Sequence, residues 1–445
     1  MLLNYTTRLM ALAVACQITL AATNLWATES DDEPLMSPME ATRQPVVVDH
    51  TTGHTKASTK ATPEAKADTV TAPEETVGED AQPQELRILN QIISPGESKA
   101  VDWESNGRQS ELDSPNRVLV VKGASPGPTF CMTAAVHGDE INGIEIVRRV
   151  IHNVAPEELS GTLIGVPIVN IEGFQRSSRY MADRRDLNRH FPGNPSGSAA
   201  SRLAFALFHD VIAHCDYLVD LHTGSFHRIN LPQLRADLSR ETVRSFTTGF
   251  GGITVLDSEG AMGTLRRAAM DAGIPAVTLE AGGPLHLDKA VVDYGTKAIE
   301  NVLHSLNMRK LMRFWLTPKP TYYQSTWIRA ESAGILISAV ELGDQVKQWD
   351  VLGEVVDPIS NRMHEIRAPF DGQILGMALD QFVSPGYAVY RIGIEAKEET
   401  LAAPPQGPPS TPMLVPSHAP IAPAEPKPAV PPTPPESDQI MVDPT

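Results

Sequence analysis

Residues 129–151 read TFCMTAAVHGDEINGIEIVRRVI, and this stretch decides the fold of the chain. Its first part, 129–136, is nearly all apolar or small, which is typical of a strand buried on both faces of a sheet. From 141 onward, apolar residues stand at 141, 144, 147, 150 and 151, which is the period of a helix with one buried face. The stretch therefore predicts a buried strand that leads directly into a helix, the repeating unit of an α/β sheet.

The same alternation continues on both sides of this stretch. Short apolar runs predict strands at 118–121, 163–169, 217–221 and 276–279, and helical periods predict helices at 202–214, 264–272 and 292–306. Strands that are apolar along their whole length need helices on both faces of the sheet. Residues 86–318 are therefore predicted to form one α/β domain.

The pattern changes after Pro318-Lys319-Pro320. Short β-like runs separated by turns fill residues 319–394, which predicts a small all-β, barrel-like module. Lys347 lies in a surface-turn context, and it does not resemble a lysine that carries a covalent cofactor. The module is therefore interpreted as structural, or as a lid on a substrate pocket.

The two ends of the chain differ in composition from its middle. Residues 1–27 have the pattern of a secretory signal peptide, with Arg8 before an apolar core at 9–22, and an uncleaved membrane anchor is the alternative. Residues 28–85 and the Pro-rich residues 395–445 predict a disordered linker and a disordered tail. We therefore expect a periplasmic or secreted protein with no transmembrane span after signal cleavage.

Charge and cysteine content restrict the partners and the compartment. The net charge of −17 disfavours nucleic acid as a partner, because the phosphates would be repelled. Cys131 and Cys215 both stand in or beside apolar runs. They are either small buried residues or a disulfide formed in an oxidising compartment, and the sequence leaves both interpretations open.

Three residues have the chemistry of a metal site. His137 and Glu140 are three apart, so a first helical turn or a tight loop would direct both side chains toward one point. His222 follows another apolar run, and two histidines with a glutamate form the ligand set of a hydrolytic zinc site. Histidine and glutamate at this spacing are common on solvated helices, but here both histidines follow strand ends, where α/β sheets bind ligands.

Two further groups lie near these motifs. An arginine-rich stretch includes Arg179 and ends in residues 186–189, DLNR; it is either a solvated basic loop or a clamp for a substrate carboxylate. Glu280 follows the apolar run 276–279 and precedes glycines. It is either a strand-end charge or a general base that takes a proton from an attacking water.

Four segments in this order resemble the succinylglutamate desuccinylase/aspartoacylase family: HGDE at 137–140, DLNR at 186–189, DLHTG at 220–224 and LEAGG at 279–283. The resemblance covers about 130–394. It implies a zinc-carboxypeptidase-like mixed sheet flanked by helices, followed by a module like a biotinyl/lipoyl-type barrel. It also implies that one Zn²⁺ per chain is held by His137, Glu140 and His222. The other implied roles are general base for Glu280, polarisation of the scissile carbonyl for Arg179, and a hold on the substrate carboxylate for Asn188 and Arg189.

The resemblance implies a zinc-dependent deacylase or amidohydrolase that cleaves an amide or ester bond of a small carboxylate-bearing substrate, such as an N-acyl amino acid. A periplasmic zinc carboxypeptidase or amidase acting on cell-wall peptides is the first alternative, and a non-catalytic envelope binding protein is the second. A pocket closed by the β module would favour the first interpretation, and an open groove would favour the carboxypeptidase. Retention of all three ligands and Glu280 argues against the non-catalytic alternative.

Overall fold

The computed structural model describes residues 84–103, 116–310, 319–379 and 381–396. The predicted signal peptide, most of the predicted linker and most of the predicted tail lie outside these residues. Within them, no helix is both long enough and apolar enough to cross a membrane.

A mixed sheet forms the centre of the α/β part. Its strands are β3 (Ser98–Trp103), β4 (Asn116–Lys122), β5 (Ser125–Ala134), β6 (Ser160–Val166), β7 (Tyr217–His222), β8 (Arg228–Ala236), β9 (Thr254–Asp257) and β10 (Ala276–Gly282). The order across the sheet is β9-β8-β10-β7-β5-β6-β4-β3, and β6, β5, β7 and β10 run parallel. The hairpin of β1 (Leu86–Ile88) and β2 (Gln91–Ile93) precedes the sheet.

Among the described residues, six α-helices accompany these strands: α1 (Asn142–His152), α2 (Ile171–Gln175), α3 (Ala199–Asp210), α4 (Glu241–Thr248), α5 (Leu265–Asp271) and α6 (Lys289–Ser305). Helices α1 and α6 pack together, and Gly295 of α6 lies against Ile146 of α1 and Leu279 of β10. Because side chains alternate along a strand, Thr278 and Glu280 leave the opposite face from Leu279. Every residue of β10 is buried, so both faces of this strand are covered.

The β-rich part continues the same sheet. It contains β11 (Thr321–Arg329), β12 (Gly334–Ser338), β13 (Gln345–Val346), β14 (Val351–Val356), β15 (Met363–Arg367), β16 (Gly372–Ala378), β17 (Phe382–Val383) and β18 (Ala388–Glu395). Strand β11 pairs with β9 on one side and with β18 on the other, and β16 pairs with both β18 and β8. These pairings close a barrel-like ring of β8, β9, β11, β18 and β16. Strands β15, β14, β12 and β17 form a separate four-stranded sheet.

The strand–helix unit at 129–151 is confirmed as β5 and α1, and the other predicted strands and helices of the α/β part are also present within a few residues. The sequence analysis missed β1, β2, β3, β8, β9, α2 and α4. The mixed α/β fold with an added β-rich region is likewise confirmed. Cys131 and Cys215 form a disulfide between the end of β5 and the residues before β7, which decides between the two interpretations of these cysteines.

Candidate metal centre and active site

The three predicted metal ligands converge at one end of the sheet. His137 and Glu140 lie in the tight turn between β5 and α1, where the Glu140 N–H donates to the His137 carbonyl at 3.2 Å. His222 ends β7, the neighbour of β5 in the sheet. The turn packs closely on α2, because a Cβ at Gly138 would lie 2.0 Å from the carbonyl carbon of Gly173. Glycine at 138 therefore allows the backbone approach that places the ligands.

The donor atoms of these residues are close enough to bind a single ion. One nitrogen of each histidine and one Glu140 oxygen all lie within 4.8 Å of one another, and the three residues are buried. His137 Nδ1 is 2.8 Å from Glu140 Oε1, and His222 Nδ1 is 2.8 Å from Glu140 Oε2. Two imidazoles and a carboxylate are ligands that Zn²⁺ favours, so this donor set fits the implied metal.

Two carboxylates hold the far nitrogens of the histidines. His222 Nε2 lies 2.8 Å from Asp220 Oδ2, and His137 Nε2 lies 3.1 Å from Asp186 Oδ1. A carboxylate only accepts hydrogen bonds, so each Nε2 carries a proton, and Nδ1 is the nitrogen of each ring that faces the site. The other Asp220 oxygen accepts from the Thr133 hydroxyl at 2.7 Å. This arrangement orients metal-binding histidines and raises their basicity.

Charge in this buried cluster shifts several pKa values. Burial acts to raise the pKa of Glu140, but the charges and hydrogen bonds of His137 and His222 outweigh it and hold that pKa well below its ordinary value. Burial acts to lower the pKa of His222, but Asp220 and Glu140 outweigh it and raise that pKa well above its ordinary value. The cluster is therefore stabilised by positive charge beside Glu140.

Glu280 stands beside His222 in the sheet. The two residues are partners in the parallel pairing of β10 with β7, so their side chains leave the same face. Glu280 is buried, and its Oε2 accepts from the Asn230 side-chain amide at 3.1 Å. Its Oε1 lies 3.3 Å from Arg235 Nε. Glu280 and His222 both line one cavity, which is the placement that a base acting on a water at the metal site requires.

Arg179 is buried against the ligand cluster. Its guanidinium donates to Ser225 Oγ at 2.7 Å and to Glu140 Oε1 at 3.3 Å, and it lies 3.1 Å from His137 Nδ1. Its second terminal nitrogen donates to Asp186 Oδ2 at 2.9 Å. A guanidinium fixed in this position can donate hydrogen bonds to an oxygen on which negative charge develops during the reaction.

Asn188 and Arg189 also line the cavity, which measures about 290 Å³. The Asn188 side-chain oxygen accepts from the backbone N–H of Leu265, the first residue of α5, at 2.8 Å. This bond fixes the amide and leaves its NH₂ group as the part that could contact a ligand. The structure therefore brings every predicted site residue into one place, while their individual roles stay predictions.

Several cavity residues were missed by the sequence analysis. They are Arg228, Asn230 and Arg235 of β8, Arg266 of α5, Trp327 of β11 and Arg391 of β18. Burial, together with the charge of Arg235, lowers the pKa of Arg266 to about 10, so it stays charged at neutral pH. Trp327 and Arg391 come from the β-rich part, which therefore forms one wall of the cavity. The arginines of β8 had a faint sequence signal, since charges rarely occur within apolar strands.

Comparisons with known proteins agree on one family. Residues 126–306 match the profile described as the succinylglutamate desuccinylase/aspartoacylase catalytic domain. A curated relative, the N-alpha-acetyl-L-2,4-diaminobutyric acid deacetylase of Halomonas elongata, is 26% identical over 287 residues, which are 60% of this chain and 82% of that protein.

Solved structures show the same fold. A succinylglutamate desuccinylase/aspartoacylase from Rhodobacter sphaeroides superposes with a TM-score of 0.61 at 23% identity and covers 70% of this chain and 100% of its own. An aspartoacylase family protein from Mesorhizobium loti gives 0.60 at 20% identity, with 72% and 100% covered. The product-bound ectoine utilization protein EutE (DoeB) from Ruegeria pomeroyi gives 0.57 at 24% identity, with 63% and 89% covered.

Proposed function

We propose that the protein is a zinc-dependent deacylase of small N-acyl amino acids, because residues 126–306 match the catalytic domain of the succinylglutamate desuccinylase/aspartoacylase family. The observation that carries the proposal is the buried convergence of His137, Glu140 and His222 in the cavity that Glu280 also lines. By the same resemblance, we propose that the α/β layers are of the zinc-carboxypeptidase type and hold one Zn²⁺ per chain.

The roles of the residues follow from their positions. Zinc, when bound, supplies a Lewis acid that activates water and polarises a carbonyl. Glu280 would accept the proton of the attacking water and pass it to the leaving amine. Arg179 would donate to the oxyanion, and Asn188 with Arg189 would hold the substrate carboxylate through charge-assisted bonds.

The shape of the cavity favours a small substrate over a cell-wall peptide. Trp327 and Arg391 of the β-rich part line it together with the metal-site residues, and its volume is about 290 Å³. A pocket of this size accommodates an N-acyl amino acid, whereas a peptide chain would need a longer groove. We therefore propose a deacylase that cleaves the amide bond of such a substrate.

We also propose that the enzyme works in an oxidising compartment, as expected for a periplasmic or secreted protein. The Cys131–Cys215 disulfide supports this location, because such bonds persist outside the reducing cytoplasm. Fractionation of cells, with thiol labelling of the protein in each fraction, tests the location. A reduced protein found in the cytoplasmic fraction would contradict it.

The function is tested by metal analysis and by Glu280→Gln. The purified protein should carry about one zinc per chain and hydrolyse N-acetyl amino acids until a chelator is added. Glu280→Gln removes the base and no ligand, so it should keep the zinc and lose about 10²- to 10⁴-fold in kcat. Full activity in the zinc-loaded variant would refute the role of Glu280, and a wild-type protein without metal affinity would refute the centre.

A further inference from the structure

The loop between β7 and β8 contains two consecutive residues in the left-handed backbone conformation. Phe226 has a φ of 54° and His227 a φ of 59°. Residues other than glycine rarely adopt this conformation, because it brings Cβ close to a backbone carbonyl. Leu89 and Asn90 share it in the β1–β2 hairpin, where a two-residue turn requires it, but β7 and β8 are not paired with each other. Residues 225–227, the strained loop, therefore need another reason for their conformation.

The side chains of the strained loop contact Arg179, which is predicted to polarise the scissile carbonyl. Arg179 Cζ lies 5.2 Å from the centre of the Phe226 ring, and the guanidinium donates to Ser225 Oγ at 2.7 Å. A cation within about 6 Å of a ring centre is attracted to the negative face of the ring. The ring restricts the plane of the guanidinium, and the hydroxyl accepts from one of its N–H groups. Two consecutive residues thus hold one buried arginine.

Other contacts of Arg179 are with candidate metal ligands. Its guanidinium donates to Glu140 Oε1 at 3.3 Å and lies 3.1 Å from His137 Nδ1. An electron pair that either atom gives to a metal is no longer available to the arginine. Asp186 and the strained loop are not candidate ligands, so their contacts with Arg179 do not compete with a metal. These contacts are therefore the ones that can orient the guanidinium during the reaction.

The β-rich part holds the backbone of the strained loop. The Tyr387 hydroxyl donates to the Phe226 carbonyl, and the Leu379 N–H donates to the His227 carbonyl at 2.8 Å. The Gln381 side-chain amide donates to the same His227 carbonyl at 3.1 Å. Donors from the β-rich part thus occupy the carbonyls of both left-handed residues. Strained backbone persists where surrounding structure holds it in this way, and such strain is concentrated at functional sites.

We propose that Phe226 is a positioning residue, which fixes the guanidinium of Arg179 in the orientation that meets the oxyanion. Phe226 does not line the cavity formed by the described residues, so it acts through Arg179 and not on the substrate. The proposal rests on the deacylase function argued above. It also gives the β-rich part a role beyond forming a cavity wall, since this part holds the loop that holds Arg179.

Steady-state kinetics of the zinc-loaded protein with an N-acetyl amino acid tests this role. Phe226→Ala should lower kcat by about 10- to 100-fold with little change in KM, because a displaced donor weakens the transition state and leaves substrate binding intact. Phe226→Tyr keeps the ring face and should retain most of the activity. Phe370→Ala is the matched control, because Phe370 is also half-buried but packs against the core of the β-rich part. It should retain the wild-type kcat.

A second pair of variants tests the hold of the β-rich part on the loop. Tyr387→Phe keeps the ring and removes the hydroxyl that donates to the Phe226 carbonyl. It should lower kcat by about 2- to 10-fold, the range that one hydrogen bond contributes. Tyr390→Phe is the matched control, because its hydroxyl donates to Ser338 Oγ at 3.1 Å and not to the loop. An unchanged kcat in Tyr387→Phe, or an equal loss in Tyr390→Phe, would overturn this part of the proposal.

Chemical labelling reads the position of Arg179 without any catalysis. Phenylglyoxal modifies accessible guanidinium groups, and peptide mass spectrometry of the full-length protein gives the labelling rate of each arginine. Arg179 should be labelled faster in Phe226→Ala than in the wild type or Phe226→Tyr. The exposed Arg117 should be labelled equally in all three proteins. Melting temperatures show whether each variant is folded.

The outcomes separate the positioning role from the function. Wild-type kcat and unchanged labelling of Arg179 in folded Phe226→Ala would overturn the proposal and leave the deacylase function intact. A loss in Phe226→Tyr or in Phe370→Ala as large as that in Phe226→Ala would also overturn it, because the ring face would then not be the cause. Failure of the wild type to hydrolyse any N-acetyl amino acid would count against the function, while the labelling of Arg179 would still decide whether Phe226 fixes it.

Discussion

Asp220→Asn is expected to weaken zinc binding without touching a metal ligand. Both oxygens of this buried carboxylate are engaged, one by His222 Nε2 at 2.8 Å and the other by the Thr133 hydroxyl at 2.7 Å. The neutral amide of asparagine no longer holds the proton on Nε2 by charge. The imidazole can then carry its proton on Nδ1, the atom that faces Glu140, and this tautomer has no lone pair on Nδ1 to offer a metal in the site.

The size of the effect follows from the hydrogen bond that is lost. Loss of a carboxylate partner behind a metal-binding histidine costs about 10- to 100-fold in metal affinity, which is about 1.4 to 2.7 kcal/mol. Thr133→Val removes only the second bond of Asp220, so its effect on zinc affinity should be smaller. The order of affinity should therefore be wild type, Thr133→Val, then Asp220→Asn.

Competition with a coloured chelator at fixed pH measures zinc affinity, and thermal melting of the metal-free proteins shows that each variant folds. Asp216→Asn is the matched control. Asp216 directly precedes β7 and accepts from the Thr129 backbone N–H at 2.7 Å, but it contacts no predicted ligand. Wild-type zinc affinity in a folded Asp220→Asn protein, or an equal loss in Asp216→Asn, would refute the reasoning.

Three further predictions concern the turn, the disulfide and acid stability. Gly138→Ala should lower zinc affinity in competition assays, because its Cβ would lie 2.0 Å from Gly173 and must displace the turn; unchanged affinity would contradict this. Replacing Cys131 and Cys215 together by alanine opens a loop with a sequence separation of 84, which should cost about 4 to 5 kcal/mol in urea unfolding by the chain-entropy estimate. An unchanged urea midpoint would show that the bond adds little stability. Hydrogen bonds from Arg148 and Arg149 lower the pKa of Glu145 from 4.5 to about 2. Its contribution is present above pH 4.5 and is lost as the pH falls toward 2, so the stability difference between wild type and Glu145→Gln should shrink over that range in urea titrations. A difference that does not change with pH would argue against this ion-pair cluster.

Much of the α/β part was predictable because its signals are local. The strand and helix at 129–151 differ in hydrophobic period, and period depends only on neighbouring residues. Strand β8 was missed because Pro232 and four polar or charged residues interrupt its apolar pattern. Arg228 and Arg235 of this strand line the cavity, and their charges help to interrupt the apolar pattern.

The predicted ligand set depended on similar local information. His137 and Glu140 share one turn, and His222 ends a strand whose apolar pattern is clear. Asp186 and Asp220, the carboxylates behind the histidines, lie within the DLNR and DLHTG motifs, but the sequence did not indicate a role for either of them. Contact between His137 and Asp186 depends on the path of a long loop, which sequence spacing does not specify.

By itself, the sequence predicted the strand–helix order, three candidate metal ligands and a candidate base, because each lies in a short-range period or in a motif a few residues long. Only the tertiary structure decided that Cys131 bonds Cys215, that Asp220 and Asp186 orient the histidines, and that Arg228, Trp327 and Arg391 share a cavity. These contacts join residues that are distant in the chain. Their positions depend on the register of strand pairing across the whole sheet, which residues within one short segment do not specify.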